Sequence, residues 1–262
     1  MMNSVRPTNK TADKTALITG ASSGLGRGLA LAFGRKGTHI IAAARRKAEL
    51  DSLVAEIIAS GGSAKAMVLD CSNADATYEA VRALDQRRPL DLVIANAGAG
   101  FPTPALQLDW RGVKQILDLN VLGAAATLSA ALMGMVKRNS GQLVAMASLA
   151  GYRGLPGSAA YCASKAALIS FCESLRIDLR DSGVSVTTIC PGFVETDMTA
   201  KIKGKLPFLV KLEDAVAVMC KAIENREAEC AFPLPMAAAA RGGQYMPGAL
   251  YEWVASKGKP PA

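Results

Sequence analysis

Tyr161 and Lys165 stand four residues apart, a spacing that puts both on one face of a helix, and Ser148 lies thirteen residues upstream of Tyr161 at the end of an apolar run. A free phenol titrates near pH ~10 and is a poor base at neutrality. An ammonium one turn away favours the phenolate. A seryl hydroxyl beside the phenol can hold a carbonyl or carbinol oxygen while Tyr161 gives or takes a proton, which leaves the hydride to a cofactor. The chemistry available to the three is interconversion of a carbonyl and an alcohol. Tyr-x-x-x-Lys also arises by chance, as a packed tyrosine with a solvated lysine one turn on, so its surroundings must support the reading.

The surroundings begin with Thr19-Gly20-Ala21-Ser22-Ser23-Gly24-Leu25-Gly26, which follows the apolar run 15–18 and opens the amphipathic stretch 25–35. A glycine-rich loop between a strand and a helix is a place for phosphates. Gly20 allows a sharp exit from the strand, Gly24 removes a side chain where a pyrophosphate would approach, and Gly26 lets the helix lie close to the sheet, with N–H groups aimed at the anion.

Elements able to position these residues alternate along the chain. The pattern predicts strands near 15–20, 38–44, 64–70, 90–96, 141–148 and 184–190, with a short seventh near 229–233. Helices are expected near 24–36, 47–59, 73–86, 104–138 with a break, 158–182 and 213–226. Such alternation implies an α/β fold: a Rossmann-type doubly wound parallel sheet of about seven strands, helices on both faces and ligands at the carboxyl ends of the strands. At 262 residues, half of them hydrophobic, one core suffices. The expected organisation is a flexible segment 1–14, a single oxidoreductase domain 15–256 with a substrate flap near 193–212, and a loose tail 257–262.

No apolar run approaches the ~20 residues of a membrane span, and residues 1–14 have no apolar signal core, so a cytoplasmic location is expected. Six cysteines without Cys-x-x-Cys spacing, and His39 as the single histidine, imply reduced packing residues and no metal site. The net charge of +8 invites a nucleic-acid partner. Its basic residues are scattered in pairs such as Arg35-Lys36 and Arg87-Arg88, as on solvated faces, so none is expected.

Cofactor choice is readable at the end of the second strand, where an acidic residue would hold a ribose 2′-hydroxyl. Ala44 occupies that place and Arg45-Arg46 follow. A guanidinium fork suits a 2′-phosphate, which points to NADP(H), with Arg45 as the fork and Arg46 and Lys47 closer to decoration of the next helix.

From position 15 to about 226 the chain resembles the short-chain dehydrogenase/reductase family, in its compact single-domain branch. Beyond the glycine loop and the Ser148, Tyr161, Lys165 set, the matching pieces are Asp70, Asn96-Ala97-Gly98, Asn120 and Pro191-Gly192-Phe193-Val194-Glu195-Thr196. The chain has Ala95 where the family usually has another asparagine. The resemblance implies that Asp70 and the Cys71 backbone meet the adenine, and that Asn96, Ala97 and Gly98 line the adenine ribose. It also implies that Pro191, Gly192, Val194 and Thr196 hold the nicotinamide end, and that hydride leaves the B face. Asn120 resembles the family's asparagine that distorts its helix and fixes a water leading protons to Lys165.

The substrate wall is expected to include Ala150, Tyr152, Leu155 and Pro156, Phe101 and Pro102, and the flap, whose Lys201, Lys203 and Lys205 offer charge to an anion. Its largely apolar character suits a hydrophobic ketone, aldehyde or secondary alcohol. No role follows from the sequence for residues 234–256. Small and apolar residues on the long helices, among them Ala124, Ala125, Ala126, Leu128, Ala131, Leu132, Ala166, Ala167 and Leu168, suggest a homodimer or homotetramer. Two other readings stand beside a carbonyl–alcohol oxidoreductase: a non-catalytic NADP sensor or scaffold, and an epimerase or dehydratase of the longer related branch.

Overall fold

A computed structural model describes residues 14–202, 204 and 206–257. Strands β1 (Thr15–Thr19), β2 (His39–Ala44), β3 (Ser63–Val68), β4 (Leu92–Ala95), β5 (Gly141–Met146), β6 (Val184–Pro191) and β7 (Glu229–Phe232) form one parallel sheet in the order β3-β2-β1-β4-β5-β6-β7. The chain winds outward from β1 to β3 and returns to place β4 beside β1. A crevice therefore opens at the carboxyl ends of β1 and β4, where the direction of winding reverses.

Each inner strand buries both faces, so its residues alternate between two cores. Ala16, Ile18, Ile40, Ile94 and Val144 join Leu29 and Phe33 of α1 (Gly24–Arg35), Leu50, Leu53 and Ile57 of α2 (Lys47–Ala59), and Met219 and Ile223 of α7 (Leu212–Glu224). Leu17, Ile41, Val93, Leu143 and Val186 point the other way. They meet Val81 of α3 (Ala74–Arg87), Leu128, Ala131 and Met135 of α5 (Ala124–Lys137), and Leu168 and Cys172 of α6 (Ala159–Asp178). Full burial of one such aliphatic side chain is worth about 1.5–3 kcal/mol, and these pairs of faces lock the sheet's register.

The expected sheet and helices on both its faces are present, with ends shifted by a few residues at most. The break expected within 104–138 is resolved in detail. A single turn at Ala105–Gln107 precedes α4 (Trp110–Leu117), and a wider π turn at Asp118–Gly123 joins α4 to α5. By length and composition Trp110–Lys137 is apolar enough to cross a membrane, contrary to the expectation that no run comes near that length. Half of its most apolar window is buried within the protein, because the inner side of α5 covers the sheet. Two helices not anticipated from the sequence close the described chain, α8 (Leu234–Tyr245) and α9 (Gly248–Ser256). Apart from Lys14 and Lys257, the terminal segments expected to be loose lie outside the described residues, as do Lys203 and Lys205 of the flap.

Candidate active site

The glycine-rich loop is shaped by contacts that allow no side chain. Gly20 sits at φ 65° and Gly24 at φ 54°, in the left-handed region that glycine adopts without penalty. A Cβ on Gly20 would stand 2.8 Å from Ala97 Cα, and one on Gly26 would stand 2.5 Å from the Gly20 carbonyl oxygen. Gly24 differs, because a Cβ there would meet only Thr196, at 3.4 Å. Between this loop and the flap lies a cavity of about 420 Å³ lined by Gly24, Glu195, Thr196, Thr199 and Leu209 among others. Ser23 caps α1 with extended backbone, so the first N–H groups of that helix face the crevice, and Leu25 packs against the core behind them. These residues fit the pyrophosphate of a dinucleotide.

Asn96 staples two strand ends together. Its side-chain amide donates to the carbonyl oxygens of Thr19 (2.9 Å) and Gly20 (3.3 Å), while Thr19 Oγ1 accepts from the N–H groups of Asn96 and Ala97, both at 3.1 Å. The amide holds β1's exit to β4's exit. Asp70 is exposed and accepts from the Ser72 N–H and hydroxyl; these bonds, with Arg45 nearby, hold its carboxyl below the usual range. The Cys71 backbone packs directly under Gly123, and burial raises the Cys71 thiol to about 11.

Beyond β2 the two arginines part company. Arg45 is exposed and lies toward Asp70 and Cys71. Arg46 reaches back to the glycine loop, donating from Nη2 to Ser22 Oγ (2.9 Å) and Ser23 Oγ (2.8 Å) and from Nε to Ser22 Oγ (3.2 Å), with Glu49 at 3.6 Å. Sequence reasoning set Arg46 aside as helix decoration. Its adjacency to Arg45 was the signal present, but the direction of each side chain depends on how the strand ends.

At the other end of the crevice Tyr161 occupies the first turn of α6 and Lys165 the next. The start of α6 is pinned by Thr103, whose Oγ1 accepts from the Ala160 N–H and whose N–H donates to the Gly157 carbonyl. Gly100 lies flat against the phenol, since a Cβ there would stand 3.1 Å from the Tyr161 ring. Gly98 is held as tightly: a Cβ would come within 3.2 Å of Asn120 Oδ1 and 3.5 Å of Lys165 Nζ. Ser148, just beyond β5, donates to the Pro191 carbonyl (3.3 Å) and accepts from the Ala150 N–H (3.1 Å). Gly192 is closed in by Leu149, Pro233 and Met236; Val194 is buried, and Thr196 faces Thr199.

The electrostatics depart from the expectation in one respect. Burial is the largest influence on Tyr161 and raises its pKa; a hydrogen bond with Ser148 pulls it down, but the net shift is upward. Lys165 Nζ lies 5.6 Å from the phenol ring centroid and donates to the Met146 carbonyl at 2.7 Å. Burial lowers Lys165 to about 8. Desolvation thus opposes the charged form of each group, raising the phenol and lowering the amine. Tyr161 is held as an acid.

Asn120 is fully buried in the π turn, the helix distortion implied by the resemblance. Its side chain is fully engaged, accepting from the Ala99 N–H (2.8 Å) and donating to the Ala99 carbonyl (2.9 Å) and Ser164 Oγ (3.0 Å). It ties the 98–100 turn to α6. Tyr152, expected on the substrate wall, is buried instead and donates to Glu229 Oε1 (2.5 Å). The six cysteines are free and buried, and among the described residues no group of three or more acidic, histidine or cysteine side chains is placed to hold a metal.

A switch-point crevice with a glycine cradle at one end and a Ser–Tyr–Lys set at the other defines a nucleotide-binding oxidoreductase of Rossmann-like fold. The short chain dehydrogenase family model matches residues 14–206, and the chain belongs to that family. It is 51% identical over 93% of its length to an uncharacterized oxidoreductase of Myxococcus xanthus, of which 97% is covered. It is 35% identical over 73% of its length to a 3-oxoacyl-[acyl-carrier-protein] reductase of Synechocystis, of which 78% is covered. A short-chain dehydrogenase from Sphingobium yanoikuyae solved in complex with NADPH superimposes with a TM-score of 0.79 at 26% identity, covering 94% of this chain and 92% of that one.

Proposed function

We propose that the protein is an NADP(H)-dependent oxidoreductase that reduces a hydrophobic ketone or aldehyde to the alcohol, with Tyr161 as proton donor. The observation that supports this best is the Tyr161 phenol in the first turn of α6, its pKa raised by desolvation, with Lys165 Nζ 5.6 Å from its ring centroid. The dinucleotide supplies the hydride when bound. Ser148 Oγ and Tyr161 Oη hold the carbonyl oxygen between them, and the phenol's proton passes to that oxygen as the carbinol forms. Lys165 steadies the resulting phenolate, and a proton returns through the turn that Asn120 ties to α6. Relatives lend support: the Synechocystis protein is named as the reductase of a 3-oxoacyl group.

NADP(H) is favoured by Ala44, by Arg45, and by Arg46 with Ser22, which together present two guanidinium groups and a hydroxyl with no carboxylate on the strand end. Arg45→Ala and Arg46→Ala should each weaken NADPH binding by about 10-fold, or 1.4 kcal/mol, with NADH binding unchanged. Titration calorimetry with both nucleotides measures this, and equal wild-type affinity for the two would remove the NADP assignment. Steady turnover of at least one member of a ketone and aldehyde panel with NADPH separates the enzyme from a non-catalytic sensor.

Six free cysteines are consistent with a reducing cytoplasm. For assembly, the chain divides the residues expected at a subunit contact. Ala124, Leu128, Ala131 and Leu168 are buried against the sheet, while Leu122, Met133 and Val136 on the long helix and Ala166, Ala167 and Ile177 on α6 face outward. These outward residues suit a two-fold contact. Met133→Asp with Val136→Asp should convert a dimer or tetramer to monomer by light scattering, and a monomeric wild type would remove this part of the proposal.

A further inference from the structure

The loop that leads from Ser148 to α6 should be unruly. Residues 151–157 include three glycines, and at Gly154 and Gly157 nothing lies within 4 Å of where a Cβ would be. Such a stretch has the most backbone freedom to lose on ordering. Its tip, Leu155 and Pro156, is apolar, and Leu155 is 45% exposed.

The carboxyl-terminal helices hold this loop at successive points. Tyr152 donates to Glu229, and Arg241 of α8 donates to the same carboxylate oxygen at 2.6 Å. Arg153 places its guanidinium 4.1 Å from the ring centroid of Tyr251 in α9 and donates to the carbonyl oxygens of Gln244 (3.3 Å) and Met246 (3.4 Å), where α8 ends. A cation beside unsatisfied helix-end carbonyls and over an aromatic face is favoured twice. Tyr251 then donates its hydroxyl to the Gly154 carbonyl at 2.7 Å, closing a ring between α9 and the loop. The same unit reaches the Pro191-Gly192 turn, since Met236 and Pro233 crowd Gly192 together with Leu149.

We propose that Arg153 and Tyr251 are positioning residues. They clamp the loop 151–157 onto α8 and α9, fix Leu155 and Pro156 as a rigid side of the substrate site, and so limit the bulk of ketone that reaches Ser148 and Tyr161. The selection by size rests on the reading of Ser148 and Tyr161 as the reacting pair. The clamp itself does not.

The test uses the full chain with NADPH bound and compares wild type with Tyr251→Leu and with Tyr251→Phe, which keeps the ring over Arg153 but loses the bond to Gly154. In Tyr251→Leu, amide hydrogen exchange at 151–158 should quicken by about 10-fold, with a smaller change in Tyr251→Phe and none in β5 or the middle of α6. The kcat/KM ratio of a bulky to a small ketone should rise by about 10-fold in Tyr251→Leu, mainly through KM, at unchanged NADPH affinity. Unchanged exchange in the loop overturns the clamp, and so does a rise spread evenly over α8, α9 and the sheet. Equal loss of kcat/KM for both ketones overturns the selective role. A wild-type protein that reduces no ketone defeats the catalytic reading alone, because the exchange comparison still decides the clamp.

Discussion

Around the glycine loop, close approach is set by side chains that are missing: Gly20 against Ala97, Gly26 against the Gly20 carbonyl, and one amide, Asn96, stitching the two strand ends together. Around Tyr161, close approach is set by polar side chains arriving from far along the chain. Thr103 caps α6, Asn120 binds the 98–100 turn, and Tyr251 reaches Gly154 across 97 positions of sequence. The first design is rigid because an atom added at Gly20 or Gly26 clashes. The second is rigid only while each partner stays in place, and it stores buried polar groups that cost stability. A nucleotide of constant shape suits the first, and a substrate site that differs from one relative to another suits the second.

The largest test breaks the second region at its centre. Tyr161→Phe should lower kcat by ~10²–10⁴ and leave NADPH affinity intact, because only the proton donor is lost. In wild type, the raised phenol keeps its proton through neutral pH. Ketone reduction should therefore be flat there and decline only in alkali, and alcohol oxidation should climb as the phenol ionises. A Phe variant with wild-type kcat, measured where chemistry limits the rate, would reduce Tyr161 to a packing residue.

A paired test sets the regions side by side. Gly26→Ala forces a Cβ to within 2.5 Å of a backbone carbonyl and should cost about 1–3 kcal/mol together with most of the dinucleotide affinity. Gly154→Ala meets open space and should leave the melting temperature within a degree or two. Similar losses from both would contradict the contrast drawn here.

The smallest effect concerns the stored cost. Below pH 8 the folded chain must hold a buried Lys165 ammonium that the unfolded chain solvates, so the site is destabilising in full at neutral pH. The cost fades from about 8 toward 10.5, where only the unfolded chain still binds the proton. Lys165→Met should raise the stability of the cofactor-free protein at pH 7 by on the order of 1–2 kcal/mol, net of the lost bond to Met146, and remove turnover. Thermal melts should show that advantage shrinking at pH 10. A variant that melts earlier than wild type at pH 7 would mean that the ammonium stabilises the fold.

What could be read from the sequence divides along the same line. The parallel sheet and the glycine cradle follow from short-range patterns: apolar runs of strand length, glycines at a strand exit, alternation with amphipathic helices. Tyr152 was misplaced because its partner, Glu229, is 77 positions away and nothing local marks the pair. The reach of Arg46 to Ser22 and Ser23 was not legible because adjacent residues at a strand end diverge by backbone direction, which composition does not encode. α8 and α9 escaped notice because Leu234–Tyr245 is alanine-rich, holds two glycines and lacks a clear apolar stripe, and the prolines at 233, 235 and 247 read as breaks although each sits at a helix start.

The π turn at Asp118–Gly123 allows one long rod to answer two sets of neighbours. One extra residue per turn there advances the phase of α5 relative to α4 by about 100°, the angle of a single helical step. α4, with Trp110 exposed, and α5, packed on α3 and the sheet, can therefore change independently. Deleting one residue from that turn would straighten the rod into a plain helix. It would rotate one half out of register and draw Asn120 away from Ala99 and Ser164.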